Sequence, residues 1–236
     1  MFPQPTVAII GFGAFGQLVA RHFRDYAQVS VCDPVVRVND LPQVSLAQAA
    51  SAQIVVLAVP LVRMQAVLTQ LAPLLRPGTL VIDVCSVKLR PAKMMLDILP
   101  DHVEILCSHP LFGPQSAAAG LVGHRIAWCP LRGRSHLRVA GFLRQLGLRV
   151  IRTTPEQHDK EMAFVQGLTH LIARSLSELG PMPTRLATAS FQKMLEAAAM
   201  VQGDSPELLR TIMSENPHAE QIRTRFLTAA TQVAAA

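Results

Sequence analysis

The sequence predicts an α/β chain in two parts: an N-terminal, mostly parallel sheet covered by helices, then a small all-helical part. Three observations carry this. Short β-branched and apolar runs recur between Thr6 and Ile151, with helix-patterned stretches between several of them. A glycine-rich turn, Gly11-Phe12-Gly13-Ala14-Phe15-Gly16, joins the first run to the first helix. Beyond Thr153 no convincing strand pattern remains.

In chain order, Thr6 to Ile10 reads as a buried strand ending at glycine, and Ala14 to Tyr26 as a helix. Val29 to Cys32 is a second strand, and Ile54 to Val59 another, stopped by Pro60. Leu61 to Leu75 is helical until Pro77-Gly78 breaks it. Leu80 to Val84, Val103 to Cys107, Arg125 to Cys129 and Leu148 to Ile151 complete the strands, with helices at Pro91 to Ile98 and Ser135 to Leu146. Continuous apolar strands of this kind lie in sheets buried on both faces. Glu156 to Leu179 then reads as one long helix, broken by Gly180-Pro181 and followed by helices over Thr184 to Gln202, Pro206 to Met213 and Pro217 to Val233. The division falls at 1–153 and 154–236. The long helix is apolar around most of its circumference (Met162, Phe164, Val165, Leu168, Leu171, Ile172, Leu176, Leu179), so it needs cover on several sides. A second copy of the chain is the expected cover, giving a homodimer through the C-terminal helices.

Half of the 236 residues are hydrophobic and 16% are charged, which supports a sizeable core and argues against disorder. The net charge of +6 is spread over scattered single arginines with no basic run, which argues against nucleic acid, and an anionic substrate and cofactor explain the excess equally well. Cys32, Cys85, Cys107 and Cys129 have no zinc or redox spacing and read as reduced, packed thiols, with no metal site. No signal peptide or membrane span is recognisable, and a cytoplasmic location is expected.

The glycine turn is G-x-G-x-x-G between a strand and a helix, the context that makes the pattern specific for a Rossmann-type dinucleotide site. Gly11 permits the tight turn, Gly13 lets the backbone approach a pyrophosphate, and Gly16 lets helix and strand pack closely. Phe12, Ala14 and Phe15 complete the loop, and the helix N-terminus offers N–H groups to phosphate. Asp33 ends the second strand 17 positions beyond Gly16. An acid there accepts from ribose hydroxyls and repels a 2′-phosphate, which favours NAD; the other reading is a turn residue before Pro34. Arg37 leaves NADP open. Val59 and Pro60 should run past the cofactor toward its nicotinamide end, unless Pro60 only stops the strand.

Asp83-Val84-Cys85-Ser86-Val87-Lys88 closes one strand, and Ser108-His109-Pro110-Leu111-Phe112-Gly113-Pro114 follows the next. Ser86 and His109 therefore reach the same sheet edge as the glycine turn. A hydroxyl and an imidazole converging there suit oxidation of an alcohol: His109 accepts the hydroxyl proton as hydride leaves, and Ser86 holds the hydroxyl or the imidazole. The other reading of Ser86 is a helix N-cap. Lys88 either holds a phosphate or carboxylate or is solvated. Gln166, His170 and Arg174 are spaced i, i+4, i+8 and form one polar stripe that could receive a dicarboxylate or sit in an interface.

With the glycine loop, Asp-Val-x-Ser-Val-Lys, His-Pro-x-Phe-Gly-Pro, and His158-Asp159 followed by Gln166-Gly167-Leu168-Thr169-His170 in this order, the sequence resembles the prephenate and arogenate dehydrogenases of the tyrosine pathway. The resemblance covers residues 6 to about 176 well and the rest loosely. It implies NAD-dependent oxidative decarboxylation of a cyclohexadienyl acid, with His109 matching the family's catalytic histidine, Ser86 its hydroxyl partner and His170 a second histidine in the substrate pocket. Prephenate is preferred over arogenate, although no residue decides between them. The family's arginine for the side-chain carboxylate has no match between Phe191 and Gly203. Arg185 and Lys193 are the nearest cations and Arg174 a third choice. The alternatives are a 3-hydroxyacid dehydrogenase or imine reductase, whose catalytic lysine matches only Lys160 at the start of its helix, and a non-catalytic NAD-binding regulatory protein.

Overall fold

Among the residues the structure describes, 4–182 and 184–236 of a computed structural model, the apolar runs form one seven-stranded sheet. The strands are β1 (Thr6–Ile10), β2 (Gln28–Cys32), β3 (Ile54–Leu57), β4 (Leu80–Asp83), β5 (Glu104–Pro110), β6 (Arg125–Arg132) and β7 (Arg149–Arg152). Their order is β2-β1-β3-β4-β5-β6-β7. Every pairing is parallel except β5 with β6. The mostly parallel sheet expected from the sequence is thus present, with one reversal. The chain divides into one unit up to Pro155 and a second from Glu156 to Ala236.

In the first unit the helices are α1 (Ala14–Phe23), α2 (Leu46–Ala49), α3 (Leu61–Leu71), α4 (Leu89–Ile98) and α5 (His136–Gln145). Alternate strand residues face opposite sides, as the two-residue period requires. Ala8, Ile10, Val55, Leu57 and Val81 pack with Met64, Leu68 and Leu71 of α3 and Met95 of α4. Val7, Ile9 and Val56 turn the other way, toward Ala20 of α1. Leu80, Ile82, Leu106 and Trp128 share that second face with Leu18 of α1 and with Ala140 and Leu143 of α5. Packing there is looser: a cavity of about 80 Å³ lies among Leu18, Phe23, Ile82, Trp128 and Leu143.

Several expected boundaries move; β3 ends at Leu57 rather than Val59, and β6 runs on past Cys129 to Arg132. The helix expected to Tyr26 ends at Phe23. The helix expected to Leu75 ends at Leu71 and tightens into a 3₁₀ turn over Ala72–Leu74, because Pro73 has no N–H to donate to the next helical bond. The strand expected to stop at Cys107 continues to Pro110, because β6 runs back beside it and pairs Ser108 with Trp128, His109 with Ala127 and Pro110 with Ile126.

Two imidazoles of this unit are held neutral. His136 Nδ1 accepts from Trp128 Nε1 at 3.2 Å, and burial, then Arg152, pulls its pKa below the ordinary histidine value against an opposing pull from Glu104. Burial and Arg21 lower His22 in the same way. The unfolded imidazoles take up protons near the ordinary value of about 6.5. Below it the unfolded chain binds more protons than the fold, so stability falls as pH drops toward the lowered folded pKa values. We expect the urea midpoint to decline between pH 7.5 and 5.5. A His136→Gln variant, which keeps an acceptor for Trp128 but has no proton to gain, should decline less.

The second unit contains α6 (Pro155–Glu178), α7 (Ala189–Gln202), α8 (Pro206–Ser214) and α9 (Ala219–Ala234). The helix expected from Thr184 begins at Ala189, where the Thr188 hydroxyl accepts from Phe191 N (3.3 Å) and caps it. The unit's buried apolar residues are mostly small, Ala163, Ala173, Ala198, Ile212 and Ala219, while Phe164, Val165, Leu179 and Met200 are exposed. No helix among the described residues is long and apolar enough to cross a membrane.

Candidate active site

The glycine turn needs its glycines for separate reasons. Gly11 has φ +94°, and a Cβ on it would stand 2.5 Å from Ala58 O. A Cβ on Gly16 would stand 2.2 Å from Gly11 O, so α1 packs on the turn only without one. Around Gly13 a Cβ would meet nothing within 4 Å, and Gly13 and Ala14 are exposed at the start of α1. No side chain caps that helix. A bare backbone with open helix N–H groups is what a pyrophosphate requires, so these residues fit a dinucleotide.

Asp33 braces this turn. Its Oδ2 accepts from Phe12 N (2.7 Å) and its Oδ1 from Val35 N and Val36 N (2.8 Å each). Burial by itself raises its carboxyl pKa, but the three N–H groups outweigh it and hold the group below its ordinary value. The ribose and turn readings of Asp33 therefore concern one carboxylate, which ties the end of β2 to the glycine loop and keeps acceptor capacity for a further donor. We expect Asp33→Ala to lower stability by about 1–2 kcal/mol and to weaken dinucleotide binding, read by urea unfolding and calorimetry.

Past β3, Ala58 N donates to Ile10 O (2.8 Å), and Val59 lies beside Gly11. Pro60 is exposed and stands at the N-cap of α3. The edge thus brings together Gly11, Val59 and the loop after β4, whose Cys85 Sγ lies 4.0 Å from Val59 O. Ser86 is half-buried on that loop. The N-cap of α4 is Lys88, with no side-chain capping bond, so the capping reading of Ser86 does not hold. Both readings of Lys88 are also corrected. It is fully buried, and its Nζ donates to Asp83 Oδ1 and to Ser108 O (2.6 Å). It is neither solvated nor open to a ligand.

His109 is 5% exposed and lies inside β5, opposite Ala127. The loop that follows turns back over the same edge: Phe112 packs on Phe15 of α1 (ring centroids 6.5 Å apart) and on His124 (5.0 Å). Cys107 faces Cys129 across the same pairing, and burial holds the Cys107 thiol well above its ordinary pKa, so it remains a protonated packing group.

In the helical unit His170 is buried on α6. Its Nδ1 lies 2.9 Å from Gln166 O and its Nε2 2.9 Å from Asp204 Oδ2. A small cavity of about 30 Å³ beside it is lined by Arg174, Ser177, Gln202 and Asp204. Of the three cations considered, Arg174 is the one the structure brings to His170. Gln166 is half-buried one turn away, Arg185 is exposed in a turn, and Lys193 is exposed on α7; none of these three lines the cavity. Lys160 pairs at the surface with Glu156 (3.1 Å).

Sequence reasoning missed two acids. Asp83 is the last residue of a wholly buried strand, and a carboxylate there needs a cation within reach, a signal that pointed to Lys88. Asp204 meets His170 across 34 positions and left no comparable signal.

A doubly wound sheet with a glycine turn and a histidine at one edge, followed by a helical unit, defines a nucleotide-binding protein of the Rossmann class. Comparison with known proteins specifies it further. The family model described as prephenate dehydrogenase, nucleotide-binding domain, matches residues 29–152, and that described as prephenate dehydrogenase, dimerization domain, matches residues 154–236. The chain belongs to the prephenate dehydrogenase family. It is 30% identical to a probable arogenate/prephenate dehydrogenase of Methanocaldococcus jannaschii, over 74% of this chain and 41% of that protein. It is likewise 30% identical to arogenate dehydrogenase 1, chloroplastic, of Arabidopsis thaliana, over 95% of this chain and 38% of that protein. The chain thus spans about two-fifths of the length of these relatives. Its fold matches the crystal structure of prephenate dehydrogenase from A. aeolicus in complex with hydroxyphenyl propionate and NAD⁺, with TM-score 0.75 and 18% identity over 98% of this chain and 90% of that one.

Proposed function

We propose that this protein is an NAD-dependent dehydrogenase that oxidatively decarboxylates prephenate, or its amino counterpart arogenate, to 4-hydroxyphenylpyruvate or tyrosine. The observation that carries the reading is the placement of His109 and Ser86 on the same sheet edge as a glycine turn built for a dinucleotide. Bound NAD⁺ supplies the hydride acceptor. Gly11 to Gly16, Asp33, Val59 and Pro60 hold and orient it. Ser86 fixes the substrate's ring hydroxyl, and His109 takes the hydroxyl proton as hydride leaves the same carbon. The ring carboxylate then departs as CO₂, its bonding pair makes the ring aromatic, and His109 returns the proton to the phenolate oxygen. Arg174 receives a carboxylate of the substrate beside His170, which its contacts to Gln166 O and Asp204 hold in place. Asp33 favours NAD over NADP.

The catalytic-lysine alternative is weakened by Lys160, which is spent on a surface ion pair with Glu156. We propose a homodimer through the helical unit, supported by the dimerization-domain match and by the exposed Phe164, Val165 and Leu179. The test offers purified protein prephenate and arogenate separately, each with NAD⁺ and then NADP⁺, and follows reduced-nicotinamide absorbance. Turnover with one pair is expected, prephenate with NAD⁺ first. NAD⁺ binding without turnover of either acid would overturn the reading in favour of a non-catalytic NAD-binding protein.

A further inference from the structure

The space between β4 and β5 holds an ion pair that none of these roles uses. Lys88 and Asp83 are both 0% exposed. Lys88 Nζ reaches Asp83 Oδ1 and Ser108 O. Asp83 Oδ1 also accepts from Cys85 N (2.9 Å), and Ser108 Oγ donates to Asp83 O (2.8 Å). Asp83 Oδ2 is buried with no partner among the described residues. Burial alone pulls the Lys88 pKa down, but the Asp83 carboxylate outweighs it and holds it above the ordinary lysine value, so the ammonium stays charged.

Replacing a buried ion pair by well-packed apolar side chains of similar volume is often neutral or stabilising, so the pair is weak evidence for a role in stability. Position accounts for it. Ser86 lies on the short loop between Asp83 and Lys88, and both ends of that loop are pinned. Asp83 is pinned by the β4 ladder, and Lys88 by the carbonyl of Ser108. The residue after Ser108 is His109. One ammonium therefore ties the loop that carries Ser86 to the strand that carries His109.

We propose that Asp83 and Lys88 are a positioning pair: they touch no substrate and fix the relative placement of Ser86 and His109. The proposal rests on the dehydrogenase reading for its effect on rate, and on geometry alone for its effect on His109. The test is the double substitution Asp83→Asn with Lys88→Met, which removes both charges together and so leaves no lone buried ion. Its melting temperature should stay within a few degrees of the wild type (about 4–8 °C per kcal/mol for small domains). NAD⁺ affinity should change less than about twofold, while kcat falls about 10–100-fold with little change in KM, the signature of misplaced catalytic groups. The imidazole NMR signal of His109, assigned by its absence in His109→Asn, should move.

A folded double variant with wild-type kcat and an unmoved His109 signal would overturn the proposal. If the double variant does not fold, Asp83→Asn with Lys88→Gln, which removes both charges but keeps a polar group at each position, should produce a smaller loss of kcat and a smaller shift of the same signal; no change in either would overturn the proposal equally. If wild-type protein turns over neither acid, the dehydrogenase reading fails, and the His109 signal alone decides the positioning role.

Discussion

Replacing His109 by asparagine should lower kcat by about 10²–10⁴-fold, the usual contribution of a general base. Asparagine fits the site: it is smaller than histidine, keeps a donor and an acceptor, and can sit opposite Ala127 in the β5–β6 pairing without opening it. It has no group that accepts a proton near neutral pH, so the loss isolates proton transfer from packing. NAD⁺ affinity should stay nearly unchanged, because the glycine turn hangs on β1 and β2 through Gly11 N to Cys32 O (3.0 Å) and the Asp33 contacts. Steady-state kinetics with the better substrate, together with calorimetric NAD⁺ titration, checks both halves. Full activity in this variant would remove His109 from the mechanism.

The second large effect comes from setting two glycines of one turn against each other. Gly11→Ala should both destabilise the fold and abolish tight binding. The positive φ costs about 1–2 kcal/mol, and the new Cβ would press on the backbone of Ala58 at 2.5 Å, a contact only a main-chain shift can relieve. Gly13→Ala should behave otherwise. Its φ of −66° and ψ of −172° suit alanine, and its Cβ would meet no protein atom within 4 Å. Urea unfolding should therefore be unchanged, while NAD⁺ affinity falls about 10–100-fold, or about 1.4–2.8 kcal/mol, because the methyl occupies the approach of the pyrophosphate. Equal NAD⁺ affinity in Gly13→Ala and wild type would place the dinucleotide elsewhere.

Much of the first unit was legible because its signals are local. β1, β3 and β4 are apolar runs bounded by glycine, proline or aspartate, and the glycine turn lies where strand gives way to helix. What escaped was relational. A strand buried on both faces reads the same in either direction, so nothing in Arg125 to Cys129 announced that β6 runs against β5, and the extension of β5 through His109 went with it. Lys88 looked like a ligand group because its counter-ion is named only by folding, when β4 delivers Asp83 to it. Short α2 was missed although Ser45 and Gln48 form a capping box, a pattern visible in the residues themselves. Sequence could not rank the three cations by neighbourhood; of them, Arg174 shares a cavity with His170.

The reversal of β6 also bears on the order in which this unit assembles. Pro110 pairs with Ile126, a separation of 16 positions, whereas β1 meets β2 at 22 (Thr6 with Gln28) and β3 at 47 (Val7 with Ile54). Loop-closure entropy grows with the length closed, so the hairpin that carries His109 needs the smallest closure in the sheet, and the strand behind the glycine turn needs the largest. The β5–β6 pairing then forms before β1 has β3 beside it. Chevron analysis should read this as a higher φ-value for Ile126→Val than for Val56→Ala. A full-length chain refolding from denaturant would thus seat His109 in its strand pairing while β1 and β3 are still apart.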